Sequence, residues 1–268
     1  MIERFDSSPL IELIAEVRWP VDPGSDPSVP FSQGPHSQNH EDFLSRLLAE
    51  LSLAGYGASE RLIPPGFPLM KQAPVVRYKK SGAQASTHDL TASTLFQAGA
   101  GIFTINAVQP YKCWEQFRPV VENGLSALIA AKPPTDGGFD LVLRYIDAFK
   151  DQLTGGRPLR EFLAEVMGVH IQVPEALRAI SKDGSAIVPM LHIVIPLHFG
   201  SLQIQFAEGE LQGERVYLME NVVTVAQRHE PDVQKVLTAL DEAREVVHKS
   251  FVDLTRSIHN EMGISEGE

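Results

Sequence analysis

Cysteine is all but missing from this chain: Cys113 stands alone among 268 residues, so no internal disulfide can form. None is needed, because a chain of this length with 43% apolar residues can bury roughly 70–75% of the surface it exposes when unfolded. The missing disulfide accords with a reducing compartment, and a cytoplasmic location is the expectation. Long hydrophobic runs are missing too. No window approaches the ~18 apolar residues of a membrane span, and the start, Met1-Ile2-Glu3-Arg4-Phe5-Asp6, has no basic head followed by an apolar run. No membrane partner is expected.

Positive charge is scarce. Lys and Arg number 23 against 34 Asp and Glu, giving an acidic protein of net charge -11 with a pI near 5.3. The densest basic stretch is Arg77, Lys79 and Lys80, so a phosphate backbone is repelled and direct nucleic-acid binding is not expected. No Gly-rich phosphate fingerprint and no Gly-x-Ser-x-Gly elbow occurs, which removes the usual support for nucleotide-dependent and hydrolytic enzymes. The sequence leans away from catalysis, and no cofactor is expected.

What the chain does hold is periodicity. Between Pro9 and Trp19, residues Ile11, Leu13, Ala15, Val17 and Trp19 alternate with Glu12, Glu16 and Arg18, which predicts a half-buried strand. Residues 20–38, rich in Pro and Gly, read as an irregular excursion. A helix is predicted from Glu41 to Ala54, with Asn39 at its start and Gly55 at its end. Pro64-Pro65-Gly66-Phe67-Pro68 reads as a loop. Strands follow at Val75–Tyr78, Ser93–Gln97 and Ile102–Asn106 as an antiparallel meander. Tyr111, Trp114, Phe117, Val121, Leu125 and Leu128 predict a helix with Pro119 at a kink or second start. Asp136-Gly137-Gly138 turns into a strand at Leu141–Asp147, and a short helix runs from Pro158 to Gly168.

Strands are then predicted at Met190–Phe199, Leu202–Phe206 and Val216–Val225. The chain closes with one long amphipathic helix, from about Pro231 to Met262. The expected class is α+β: two lobes of antiparallel sheet with helices packed on one face, divided into residues 1–150 and 151–268, with one continuous sheet as the alternative.

The N-terminal strand, Tyr111–Phe117, Leu143–Asp147 and Leu240–Phe251 together resemble a sporadically distributed bacterial family of uncharacterised proteins of roughly this length. The resemblance runs over the full chain and its motifs are structural in kind. It implies a bacterial cytoplasmic protein, inherited patchily, as genes of defence, toxin–antitoxin or specialised biosynthetic clusters often are.

Candidate functional residues fall into groups, each with an ordinary structural alternative. Glu12, Glu16 and Arg18 would meet Arg144 and Asp147 if their strands are neighbours, either as cross-strand ion pairs or as the floor of a polar ligand site with Arg144 gripping a carboxylate or phosphate. His192 and His198, six apart in a strand, would share a face and could serve a ligand, with His170 or Glu220 as a third metal donor; an ordinary polar outer face explains them equally simply. His36 and His40, beside Glu41 and Asp42, have i,i+4 spacing but begin in a loop. His248 and His259, near Asp253 and Glu261, read as a solvated helix face. Cys113 at a helix start is a nucleophile candidate or a small packed residue. Metal sites are expected at none of these.

The long helix supplies the last candidates. Its stripe exceeds what one small sheet can cover, leaving Val247, Phe251, Leu254 and Ile258 either as an interface for a second copy or another protein or as residues packed inside the chain, two readings of equal standing. The expected function is therefore a non-enzymatic protein- or peptide-binding component of a bacterial multi-gene system, acting as a homodimer. The alternatives are an accessory subunit that presents a peptide to a modifying enzyme, and an enzyme or small-ligand binder with a polar site over the sheet.

Overall fold

The computed structural model describes residues 4–21, 35–63, 72–80, 93–109, 113–135, 137–182 and 187–265. Most of the Pro/Gly-rich excursion, the Pro64–Pro68 loop, Tyr111 and Asp136 lie outside these residues.

Short strand β1 (Arg4–Phe5) is followed by β2 (Leu10–Arg18), where the alternating residues are. Helix α1 (Pro35–Leu53) starts six residues before the expected Glu41, on a proline, which suits a first helical turn because that turn's N–H groups have no intrahelical acceptor. It ends as expected at Gly55, with φ +90. There the N–H of Tyr56 donates to the Leu51 carbonyl and that of Gly55 to the Ser52 carbonyl, so the last turn closes on itself.

Strands β3 (Ala58–Arg61), β4 (Pro74–Lys79), β5 (Thr94–Gly99) and β6 (Ile102–Val108) form the meander. Helix α2 (Trp114–Ala130) runs through Pro119 as one element. Then come β7 (Asp140–Phe149) and three short helices, α3 (Asp151–Thr154), α4 (Leu159–Val166) and α5 (Glu175–Ile180). Strands β8 (Leu191–Leu197), β9 (Gly200–Leu211) and β10 (Glu214–Val225) complete the sheet. β9 outruns its expected end at Phe206 because Gln212 and Gly213, both at positive φ, make a two-residue hairpin turn. The chain closes with α6 (Val233–Thr255), a 3-10 turn at Arg256–Ile258, α7 (His259–Met262) and β11 (Ile264–Ser265), which pairs with β1.

One antiparallel nine-stranded sheet runs through the molecule in the order β3-β4-β5-β6-β2-β7-β10-β9-β8. The first half of the chain supplies the block from β3 to β7 and the second half the block from β10 to β8. The two blocks join without a break, since β7 and β10 pair from Val142↔Thr224 to Phe149↔Tyr217. The expected lobes thus share a single sheet.

Helices α1, α2 and α6 pack on one face of the sheet. Their apolar stripes, such as Phe43 and Leu47, Phe117 and Leu125, or Leu237 and Val247, meet Leu13, Val17, Phe103, Leu143 and Val223 in one core. Here the long helix finds its cover. Val247, Phe251 and Ile258 are buried and Leu254 packs against the core, so the expected interface residues lie inside the chain. The sheet is wider than two separate lobes would make it, and the stripe is fully used.

α2 crosses the sheet closely at Gly124, where a Cβ would lie 2.6 Å from Cε1 of Phe96 and 3.1 Å from Cγ1 of Ile105. Gly124→Ala should therefore destabilise the fold by about 1–2 kcal/mol, overpacking outweighing the better helix propensity of alanine. A rise in the urea midpoint for this variant would show that the crossing has room to spare.

Candidate functional site

The face of the sheet opposite α1, α2 and α6 carries the charged residues of β2. Ile14 pairs with Arg144 and Glu16 with Val142, which puts Arg144 diagonally across from Glu16. Arg144 pairs with Val222 and so stands diagonally across from Glu220 as well. Arg144 Nε donates to Glu16 Oε1 at 3.2 Å, and its Nη1 donates to Glu220. Arg18 Nε donates to the other oxygen of Glu16 at 2.9 Å. Burial acts against the charge on Arg144, but the bonds to Glu220 and Glu16 outweigh it and hold the pKa above its ordinary value. Toward β6, Asn106 Nδ2 donates to Glu12 at 2.8 Å, and Thr104 donates to Asn106 at 2.7 Å. The fork of Arg144 is thus engaged by two carboxylates, which ties β2, β7 and β10 together.

Asp147 is not part of this network. It lies three residues beyond Arg144 in a strand, and an odd spacing reverses the face, so the thickness of the sheet separates the two. Asp147 pairs with Leu10 on one side and Met219 on the other, and faces the helices. Only 2% of it is exposed. Burial alone pushes its carboxyl up to about 8. Among the described residues it has no hydrogen-bond or ion-pair partner.

Asp147 lines a cleft, partly open to solvent, between β1, the first residues of β2, the start of α2, β7 and α6. Phe5, Leu10, Tyr145, Val247 and Phe251 give it apolar walls. Trp114 closes one side and is held there by its indole N–H, which donates to Asp241 of α6 at 2.7 Å. Arg118 donates to the same carboxylate at 3.0 Å, so α2 and α6 are pinned beside the cleft. Elsewhere in the lining, Arg244 donates to Glu245 at 2.7 Å and comes within 3.9 Å of Glu115, which also accepts from Arg4 at 3.5 Å.

The chain matches no known protein family, curated protein or solved structure.

The remaining candidates are dispersed. His192 pairs with Gln205, which pairs with Glu220, and so belongs to the face opposite α1, α2 and α6. His198 lies past the end of β8, where the alternation lapses into the hairpin, and its Nε2 meets Glu242 of α6 at 3.0 Å, so the two histidines do not form a pair. Glu220, a possible third donor, is held by Arg144. His40 is buried, which pushes its pKa down; the side chain of His36 lies outside the described residues. His259 is buried with its ring centroid 4.8 Å from that of Phe5, and His248 lines the cleft. Cys113 sits at the cleft as the residue before α2, and burial there pushes its thiol up, away from the thiolate a nucleophile requires. Among the described residues, no three His, Cys, Asp or Glu side chains gather as metal ligands.

Sequence reading missed the edge of the sheet. Among the described residues nothing pairs with the outer side of β8, and the chain from α5 to β8 exposes Leu177, Ile180, Val188, Met190, Val194 and Ile195. Met190 is 84% and Ile180 80% exposed, and α5 buries no residue at all. The opposite edge is built differently. β3 is Ala58-Ser59-Glu60-Arg61, with Glu60 bound by Lys79 and Arg61 by Glu41. Charge is the usual protection of an edge strand, and only one of the two edges has it.

Proposed function

We propose that this protein is a non-enzymatic recognition or assembly component, and that it joins its partner by strand addition at β8. The observation that carries the reading is the unguarded edge: seven residues, Leu191–Leu197, with no Lys, Arg, Asp or Glu among them, beside a stretch of exposed apolar side chains. An open ladder of backbone donors and acceptors supplies affinity for an extended segment, and flanking apolar residues supply the desolvated contact. Only Pro196 lacks a donor, which is the place proline takes in an edge strand.

A second copy of the chain is the first partner to test, because antiparallel pairing of two such strands about a two-fold axis sets no like charges opposite one another. A bacterial multi-gene system of the defence or toxin–antitoxin type is the setting proposed for it, with a protein from the same system as the other partner. The sheet face opposite the helices favours this over catalysis, since among the described residues Arg18, Arg144, Glu16 and Glu220 there are engaged with one another.

Absolute mass by light scattering tests the reading. The wild type should run at twice 29.5 kDa, and Val194→Lys, which adds a charge at the exposed edge, should give the single-chain mass and still melt cooperatively, at a temperature lower only by the lost association. If wild type and variant share one mass, strand pairing between copies is wrong.

A further inference from the structure

The cleft beneath α6 is unrelated to the β8 edge and has a chemistry of its own. Its decisive element is Asp147, a carboxyl almost wholly removed from water, lining open space, with no partner among the described residues. Buried polar groups are ordinarily hydrogen-bonded, and buried carboxylates are ordinarily paired. Here no described residue supplies a partner, and the side chain lines the open space. The walls around that space are aromatic: Phe5 and Phe251 meet edge to face with centroids 5.9 Å apart, and Trp114 and Tyr145 complete the lining.

We propose that this cleft is a binding site for a protonated organic amine, with the ammonium against Asp147 and the apolar body against Phe5, Trp114, Tyr145 and Phe251. An ammonium brings both the hydrogen-bond donors and the counter-charge that Asp147 lacks, and aromatic faces attract it further. The two arginines of the lining do not oppose it. Arg244 is met by Glu245 and Glu115, Arg4 by Glu115, so the positive charge of both is already countered by carboxylates, and neither makes an ion pair with Asp147. At longer range, the net charge of -11 concentrates cations around the protein. An organic anion would meet the reverse conditions.

Binding is then linked to protons. Asp147 is protonated at neutral pH in the empty cleft and ionised beside an ammonium, so each amine bound should release up to about one proton. Among the described residues, the other titratable or charged groups of the lining are Arg4 on β1, Cys113 and Glu115 at the start of α2, Tyr145 on β7, and Arg244 and His248 on α6, with Leu10 of β2 and Ser8 before it uncharged. Asp147→Asn removes the one group in question and leaves these in place.

The experiment is calorimetric titration of the full chain at neutral pH with phenethylamine, butylamine, phenethyl alcohol and hydrocinnamate, repeated in two buffers of different ionisation enthalpy. Phenethylamine should bind at least about tenfold more tightly than the alcohol or the acid, the smallest effect expected of a hydrogen bond between charged groups. Its heat should report proton release. Asp147→Asn should lose that preference while it melts cooperatively. Equal binding of the alcohol or the acid, undiminished amine binding by Asp147→Asn, or no binding of either amine would each overturn the proposal. Val194→Lys should bind the amine as the wild type does, which keeps this outcome separate from that at the sheet edge.

Discussion

Asp147→Asn should stabilise the protein at neutral pH by up to about 4 kcal/mol. The unfolded carboxyl ionises near its ordinary value of 3.8, whereas in the fold burial holds it protonated up to about 8. Between those values the native state keeps a proton that the unfolded chain has released. Unfolding therefore releases a proton, and stability falls as pH rises. The contribution of Asp147 is fully present below pH 3.8 and lost as pH climbs through 8. Asparagine is nearly isosteric and does not titrate, so the variant lacks this slope. The gap of about three pH units between 3.8 and 7, at 1.36 kcal/mol each, sets the ceiling on the gain. Water reaching the cleft reduces it.

Urea denaturation of both proteins at pH 4 and pH 7 checks this. The two should be close at the lower pH and well apart at the higher. A variant that is less stable at pH 7 would mean that the carboxylate is ionised and paired, and the account of the cleft would fail with it. A residue that lowers stability at working pH and lines a cleft is the kind of exchange of stability for function that binding sites make.

Arg144→Met should act in the opposite direction, with a loss of about 3 kcal/mol. Arg144 serves two carboxylates, and the Glu16 side chain is only 6% exposed. Methionine keeps the apolar stem against the sheet but leaves Glu220 without its partner and Glu16 with Arg18 alone. The loss lies at the low end for a broken buried pair because Arg144 itself keeps some access to water. Adding Glu16→Gln should recover about half, since an amide left without an ion-pair partner costs less than a carboxylate. A double-mutant cycle by equilibrium unfolding measures this. No coupling between the two positions would show that the charges merely lie near one another.

Much of the architecture was legible because its determinants are local. The alternation from Ile11 to Trp19 did assign Leu13 and Val17 to the core and Glu16 and Arg18 to the other face, as backbone pleating requires. Gly55 did close α1, because few other residues accept its backbone conformation. β3 escaped notice because Ala58–Arg61 is wholly exposed, and a strand without a buried face leaves no period to read. The end of β9 escaped for the same reason: Glu208-Gly209-Glu210 has no apolar alternation, and that stretch is held by its hairpin with β10.

The candidate sites divide along the same line. That Glu16 and Arg144 could meet was readable from their strands. That Glu220 joins them, that Asp147 faces the other way into a cleft with Trp114 and Phe251, and that the long helix is covered were not. Sequence by itself determined the class, α+β, and the face to which most side chains turn, because strand and helix periods are properties of neighbouring residues. Tertiary structure decided the order of the strands, the union of the two halves in one sheet, the solitude of Asp147 and the bare edge at β8. Those depend on which distant segments pair and bury one another, and no local period encodes that choice.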